Sequence, residues 1–169
     1  MNVMHVTSSL KQGGAETLLV QLVARLQKMG IEQSVLYFHD GPNRILLESL
    51  GIKVEKISGI VHRYDPTVFF KFNTQIDKNR PDVIHSWLWA ANFFSRAISC
   101  FFRLPVINSV HNNVDQDGLI RAFFDKISLY FATKVVAVSP GVAQSIERAY
   151  GISASQLITI KNGIDPHYF

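Results

Sequence analysis

Gly13-Gly14, Glu16, His111 with the polar loop after it, and Ser139 are the residues whose types and spacing could do chemistry. The glycine pair follows the apolar run Val3-Met4-His5-Val6, which reads as a buried strand. It precedes residues 17–29, where Leu18, Leu22 and Leu26 recur at helical spacing with Leu19 and Val23 beside them. A strand, a double-glycine turn and a helix N-terminus make an anion site. Glycine lets a ligand approach the backbone closely, and the first helical N–H groups have no internal partner. The same pair would also serve a plain tight turn, so the loop alone leaves both readings open.

His111 stands where the predicted strand 106–110 opens into the polar loop 111–118, with Asn112, Asn113 and Asp115 following it. An imidazole there can donate to a carbonyl or hydroxyl, or carry charge near a phosphate. A histidine that merely caps the strand end is the competing reading. His85 falls within or at the end of strand 83–86 and packs in the sheet or supports the loop. His5 is mid-strand and structural. His39, His62 and His167 lie in loops and carry no signal. No His-x-x-x-His, no Cys-x-x-Cys and no clustered carboxylates occur, so no metal site is expected. Ser139 follows a strand and opens a helix, as a nucleophile elbow does. It lacks the glycine two residues earlier, and Pro140 has no N–H to offer an oxyanion. Ser139 therefore reads as a helix N-cap whose hydroxyl could face a ligand.

Strands and helices alternate along the whole chain. Strands are expected at 3–6, 31–38, 52–57, 83–86, 106–110, 135–138 and 157–160. Helices are expected at 17–29, 44–50, 67–78, 90–102, 119–133 and 140–150, with Asp65-Pro66 starting the third. The run 135–138 is fully apolar and is expected to be central. This order predicts an α/β fold: a doubly wound, mostly parallel sheet with helices on both faces, Rossmann-like. Ligands of such sheets bind outside the carboxyl ends of the strands, which points to residues 8–16, 39–40, 86–87, 111–115 and 139.

The 169 residues suffice for one domain with a real core. The formal charge of +4 suits an anionic ligand or an acidic membrane surface. Lys and Arg are scattered, with no run or arm of them, so nucleic acid is not expected as a partner. Cys100 is the single cysteine and reads as a core residue. No secretory signal and no apolar run of the roughly 20 residues needed to span a bilayer is present. The expectation is a soluble protein of a reducing, cytoplasmic compartment. Phe69-Phe70, Phe93-Phe94, Phe101-Phe102 and Phe123-Phe124 cannot all face inward from helices. With Lys71, Arg96, Arg103, Arg121 and Lys126 they could form a peripheral membrane patch at the inner face, though core packing or a missing partner would equally use them.

With these residues in place the chain resembles the N-terminal domain of a group 1 (family 4 type) retaining glycosyltransferase of the GT-B fold. The resemblance rests on Gly13-Gly14-Ala15-Glu16, Pro81-Asp82-Val83-Ile84-His85, Val110-His111, Val136-Ala137-Val138-Ser139 with Gly141-Val142, and Ile160-Lys161-Asn162-Gly163-Ile164-Asp165. It implies transfer of a sugar from a nucleotide-diphosphate sugar to the hydroxyl of a sugar or lipid-linked acceptor, with retention and without a metal or other cofactor. It implies a hexosyltransferase of surface polysaccharide or glycolipid synthesis. Gly13 and Gly14 would lie near the donor diphosphate, and His111 near the transferred sugar as the catalytic residue. Glu16, Asn112, Asn113, Asp115 and Ser139 are expected substrate contacts. Residues 1–160 would be the acceptor-side domain and 161–169 the crossover to a missing C-terminal donor-binding domain, so the chain alone is expected to be inactive. The alternatives are a nicotinamide-dependent oxidoreductase domain, with Asp40 placed to hold a ribose, and a non-catalytic nucleotide- or sugar-binding module. The first is weakened by the absence of Gly-x-Gly-x-x-Gly.

Overall fold

The computed structural model describes residues 1–57, 67–114 and 118–163. Seven strands alternate with helices: β1 (Asn2–Ser9), α1 (Gly14–Lys28), β2 (Glu32–His39), α2 (Asn43–Ser49), β3 (Lys53–Lys56), α3 (Thr67–Asn79), β4 (Val83–Trp87), α4 (Trp89–Phe102), β5 (Val106–Val110), α5 (Leu119–Ser128), β6 (Lys134–Ala137), α6 (Pro140–Tyr150) and β7 (Leu157–Thr159). The helix expected at 119–133 ends earlier, because its last turn, Leu129–Phe131, tightens to 3-10 geometry. The Asp65-Pro66 helix start and residues 164–169 of the expected crossover lie outside the described residues.

All neighbouring strands pair in parallel, in the order β3-β2-β1-β4-β5-β6-β7. The order reverses direction between β1 and β4, which opens a crevice at the carboxyl edge beside both. The apolar run of β6 is interior to the sheet but second from the edge rather than central. Val135 and Ala137 on one face are buried and Val136 on the other is half-buried, so the apolar run does not report a place at the middle of the sheet.

Alternation along the strands divides the core. Met4, Val6, Leu36, Phe38 and Ile84 pack against Phe72 of α3 and Phe94 and Ile98 of α4. On the opposite face Val35, Tyr37 and Trp87 pack against Leu19 and Val23 of α1 and Leu47 of α2. The buried line of α1 is Ala15, Leu19 and Val23, with Leu18 and Leu22 at its flank. Strand register places Val135 on the same face as Val106 and Ile84, so α6, packed on Val135 through Val142 and Ile146, belongs to the α3–α4 layer. Helices thus cover both faces. Cys100 is exposed, not in the core as expected, because Ile98 and Ser99 take the inward positions of that turn of α4.

Candidate functional site

The carboxyl edge is held together across the switch point. The Ser8 hydroxyl at the end of β1 accepts from the Ala91 backbone N–H at the start of α4, at 3.0 Å. The loop after β1 is braced by the start of α2: Asn43 Nδ2 donates to the Lys11 carbonyl at 2.6 Å. A Cβ on Gly41 would overlap the Leu10 backbone, so glycine is required there for close approach.

Gly13 and Gly14 behave differently. Gly13 caps α1 with extended backbone (φ −177°), and a Cβ on Gly14 would meet nothing within 4 Å. Neither is held as glycine by a left-handed turn, which removes the tight-turn explanation. Glu16, in the first turn, leans back so that its carboxylate lies over Gly13. A carboxylate there complements the helix dipole.

A column of rings runs on the α1 side from β1 through β4 to the residue just past β5. His5 faces His85 (centroids 5.4 Å apart), His85 faces Trp87 (4.6 Å), and Trp87 stacks on His111 (5.3 Å, planes 23° apart). The order follows from register, since His5 pairs with His85 and Trp87 with Ser109, two residues before His111. His85 Nε2 lies 2.9 Å from the Ser109 hydroxyl, and His5 Nε2 lies 3.1 Å from Gln33 Oε1. Burial pushes His5 down to about 4. Burial, with His5 and His111 nearby, pushes His85 to about 3. Burial also lowers His111, so all three are neutral at pH 7. Nε2 of His111 is buried and meets no partner among the described residues.

Behind His111 lies a cavity of about 150 Å³, lined by Trp89, Asn92, Arg96, Asn112, Arg121 and Asp125 among others. Asp125 is its hub. It pairs with Arg96, accepts from Trp89 Nε1 at 2.7 Å and Tyr150 Oη at 3.4 Å, and lies 3.8 Å from Arg121 Nε. The Arg121 guanidinium also sits 5.0 Å over the Trp89 ring. A second network fixes the strand ends: Asn108 Nδ2 donates to Ser86 Oγ (2.6 Å), Ser86 Oγ donates to Asn92 Oδ1 (2.7 Å), and Asn92 Nδ2 donates to the Ser109 carbonyl (3.0 Å). Leu88, between β4 and α4, adopts φ +68°, a conformation that side chains with a Cβ rarely take. Such strain persists only where surrounding contacts impose it, and these networks surround it.

Of the expected site residues, the structure brings His111 and Asn112 together in the cavity. Asn113 is exposed beside them, and Asp115 lies outside the described residues. Ser139 caps α6, accepting from the Val142 N–H at 3.2 Å, and does not line the cavity. Gly13, Gly14 and Glu16 form a separate part of the carboxyl edge. Arg96 is not part of a membrane patch but is buried in its ion pair. Phe94 is core and Phe93 half-buried, which narrows that patch. Asp40, just past the end of β2, accepts from the Gly41 N–H and from Arg44 Nε, both on Oδ1. Trp87 falls in the expected stretch 86–87, whereas Trp89, Asn92 and Asp125 line the cavity without any motif that announces them. Polar residues inside the apolar helix α4 are the one sequence signal that could have found Asn92. Among the described residues no group of three metal-ligating side chains comes together, and no helix is long and apolar enough to cross a membrane.

Residues 12–168 match the family model of Glycosyltransferase Family 4. Among solved structures, the chain is similar to the Anabaena protein HepE, solved with UDP, at 23% identity and a TM-score of 0.82 over 98% of this chain and 45% of that one. The lipopolysaccharide outer core galactosyltransferase WaaB aligns at 15% identity and TM-score 0.76, over 97% of this chain and 46% of WaaB. Sucrose-phosphate synthase from Thermosynechococcus elongatus aligns at 16% and 0.77, over 100% and 50%. These likenesses establish the fold as that of one GT-B domain, and the chain spans half or less of each relative's length. No curated protein matches.

Proposed function

This chain belongs to Glycosyltransferase Family 4, and on that premise we propose that it is the acceptor-side domain of an enzyme moving a sugar from a nucleotide-diphosphate sugar to an acceptor hydroxyl. The anomeric carbon gives up its bond to the diphosphate oxygen and gains one to the acceptor oxygen, whose proton passes to the released diphosphate, with retained configuration. Residues 161–169 would lead into a donor-binding domain, and residues 1–160 alone would not transfer. HepE was solved with UDP and with UDP-glucose, which supports a nucleotide-sugar donor here.

The observation that carries this reading is the place of His111. A neutral imidazole, stacked on Trp87, presents a buried Nε2 with no partner among the described residues beside a cavity at the carboxyl edge. Neutral imidazole offers one N–H and one lone pair, which suits sugar hydroxyls and developing charge at a sugar ring. Asn112 adds an amide to the same wall. The two arginines of the cavity lie against Asp125, so they do not supply an open cationic pocket for diphosphate. The free N–H groups of α1 behind Gly14 are the anion-binding feature of this domain, and the remaining counter-charge would come from the second domain. The acceptor would be a sugar or a lipid-linked one, met at the inner face of a membrane.

The test is a longer protein carrying this chain, incubated with nucleotide sugars and candidate acceptors, with the anomeric coupling of the product read by NMR. The account expects the donor's configuration in the product. An inverted product would contradict the retaining assignment.

A further inference from the structure

Two guanidinium groups and one carboxylate meet in the cavity beside His111. Among the described residues that line it, Arg96 and Arg121 are the cations and Asp125 is the only carboxylate. Asp125 is shared. Arg96 pairs with it directly, and Arg121 Nε stands 3.8 Å away. Trp89 Nε1 and Tyr150 Oη donate to the same carboxylate, so four donors divide one negative charge. The lining keeps one positive charge that no carboxylate among the described residues neutralises.

Arg96 shows the same shortfall by a separate route. Its side chain is 3% exposed, and its Nε is buried without an acceptor among the described residues. A buried donor left unmet forfeits the hydrogen bond that water would have supplied. Burial holds the Arg96 pKa below the usual arginine value; Asp125 offsets this only in part, and Arg121 adds to the lowering. A second anion in the cavity would complete the compensation. Arg121, on the more open side of the pair at 37% exposure, is the group that can meet it.

Size and shape select the anion. The cavity holds about 150 Å³, less than the roughly 300–1,000 Å³ of sites that enclose a drug-sized ligand. It takes one sugar residue rather than a nucleotide. A single net positive charge matches a carboxylate better than a diphosphate, and a guanidinium can pair with a carboxylate through two parallel N–H···O bonds. Val110, Val135 and Ile146 line the apolar part of the cavity and suit the carbon face of a sugar ring. His111 and Asn112 on the same wall suit its hydroxyls.

We propose that this cavity is the subsite for an acidic sugar: the acceptor is a hexuronic acid residue whose carboxylate pairs with Arg121 and whose ring hydroxyls face His111. Calling that sugar the acceptor rests on the proposed function. Its binding does not, because binding needs neither donor nor transfer.

The 169-residue chain would be titrated with methyl glucuronide, with methyl glucoside as the neutral counterpart and with glucose 6-phosphate as the phosphate-bearing one. Affinity would be read from the NMR shifts of His111 and Asn112. Methyl glucuronide should bind at least about tenfold more tightly than methyl glucoside, the difference being hydrogen bonds between charged groups. Arg121→Gln should bring the two within about twofold of each other. Lys126→Gln removes an exposed cation of the same helix that does not line the cavity, and should keep the parent's discrimination. Circular dichroism checks that each variant is folded. Should Arg121→Gln not fold, Arg121→Lys keeps the charge without the paired donors and should lower the discrimination several-fold. Equal binding of glucuronide and glucoside, binding of neither, or discrimination unchanged by the Arg121 variant overturns the proposal. Tighter binding of glucose 6-phosphate, lost in the same variant, overturns it too, with phosphate as the group recognised. A longer protein that glycosylates only neutral acceptors leaves the proposed function standing and contradicts this inference; selective binding of the glucuronide by a protein that transfers nothing does the reverse.

Discussion

The indole of Trp87 lies 5.3 Å from the imidazole of His111 with the planes 23° apart, so the last ring of β4 fixes the first residue of the loop after β5. Stacking of this kind limits rotation of the imidazole about χ2 and keeps it from water. Trp87 is a positioning residue in this account. Trp87→Ala should release the ring and move the His111 Cε1–H resonance downfield, as the ring current disappears. It should also raise the His111 pKa toward the ordinary value, since burial is what lowers it. Trp87→Phe should restore most of both. A His111 resonance and titration unaffected by Trp87→Ala would mean that the stack orients nothing.

Gly14→Ala separates an open anion site from a turn. The Cβ meets nothing within 4 Å, and alanine suits a helix better than glycine. Thermal stability should hold or rise by up to about 1 kcal/mol, while nucleotide-sugar affinity in a longer protein should fall. A variant less stable than the parent, with unchanged affinity, would restore the structural reading of Gly14.

Asp125→Ala would leave the Arg96 charge buried and unpaired. Breaking such a pair costs about 3–5 kcal/mol, whereas replacing both partners by apolar residues is nearly neutral. Asp125→Ala should therefore lower the denaturation midpoint strongly, and Arg96→Met/Asp125→Leu should recover much of it. Equal loss in single and double variants would show that the remaining Asp125 contacts, with Trp89 and Tyr150, dominate.

Acid should destabilise the fold through the ring column. Lowered pKa values mean that the unfolded chain binds protons more readily than the folded one. The histidine contribution is then complete above the unfolded value of about 6.5. It is lost as pH falls from there through about 4 for His5 and about 3 for His85. In that window His5 should contribute a slope of about 1.4 kcal/mol per pH unit. Denaturant unfolding of His5→Gln between pH 7 and 4 should show a shallower slope than the parent. An identical slope would contradict the buried neutral state of His5.

Most of the architecture was legible because it rests on periodicity: apolar runs of strand length, helical stripes, and Gly or Pro between them. The layer assignment followed from their alternation. His111 was legible because polar loops after strands are where such sheets bind ligands. Trp87 was legible as a residue of the carboxyl edge but not as the ring that stacks on His111, and Asp125 was not legible at all. Their roles depend on which strands become neighbours and on which way α5 turns its one carboxylate, and neither is a local property of the chain. Arg96 was misread for the same reason, since a lone arginine in an apolar helix looks solvent-facing until its buried partner is known.

The central claim is that His111 faces the reacting sugar. It is tested most directly by the rate at which a longer protein carrying this chain releases nucleoside diphosphate and glycosylates an acceptor, with His111 and with His111→Ala. The account predicts a loss of about 10²–10³-fold in kcat, the usual effect of removing one transition-state hydrogen-bond partner, with the fold intact. Transfer by His111→Ala at the parent's rate would contradict it.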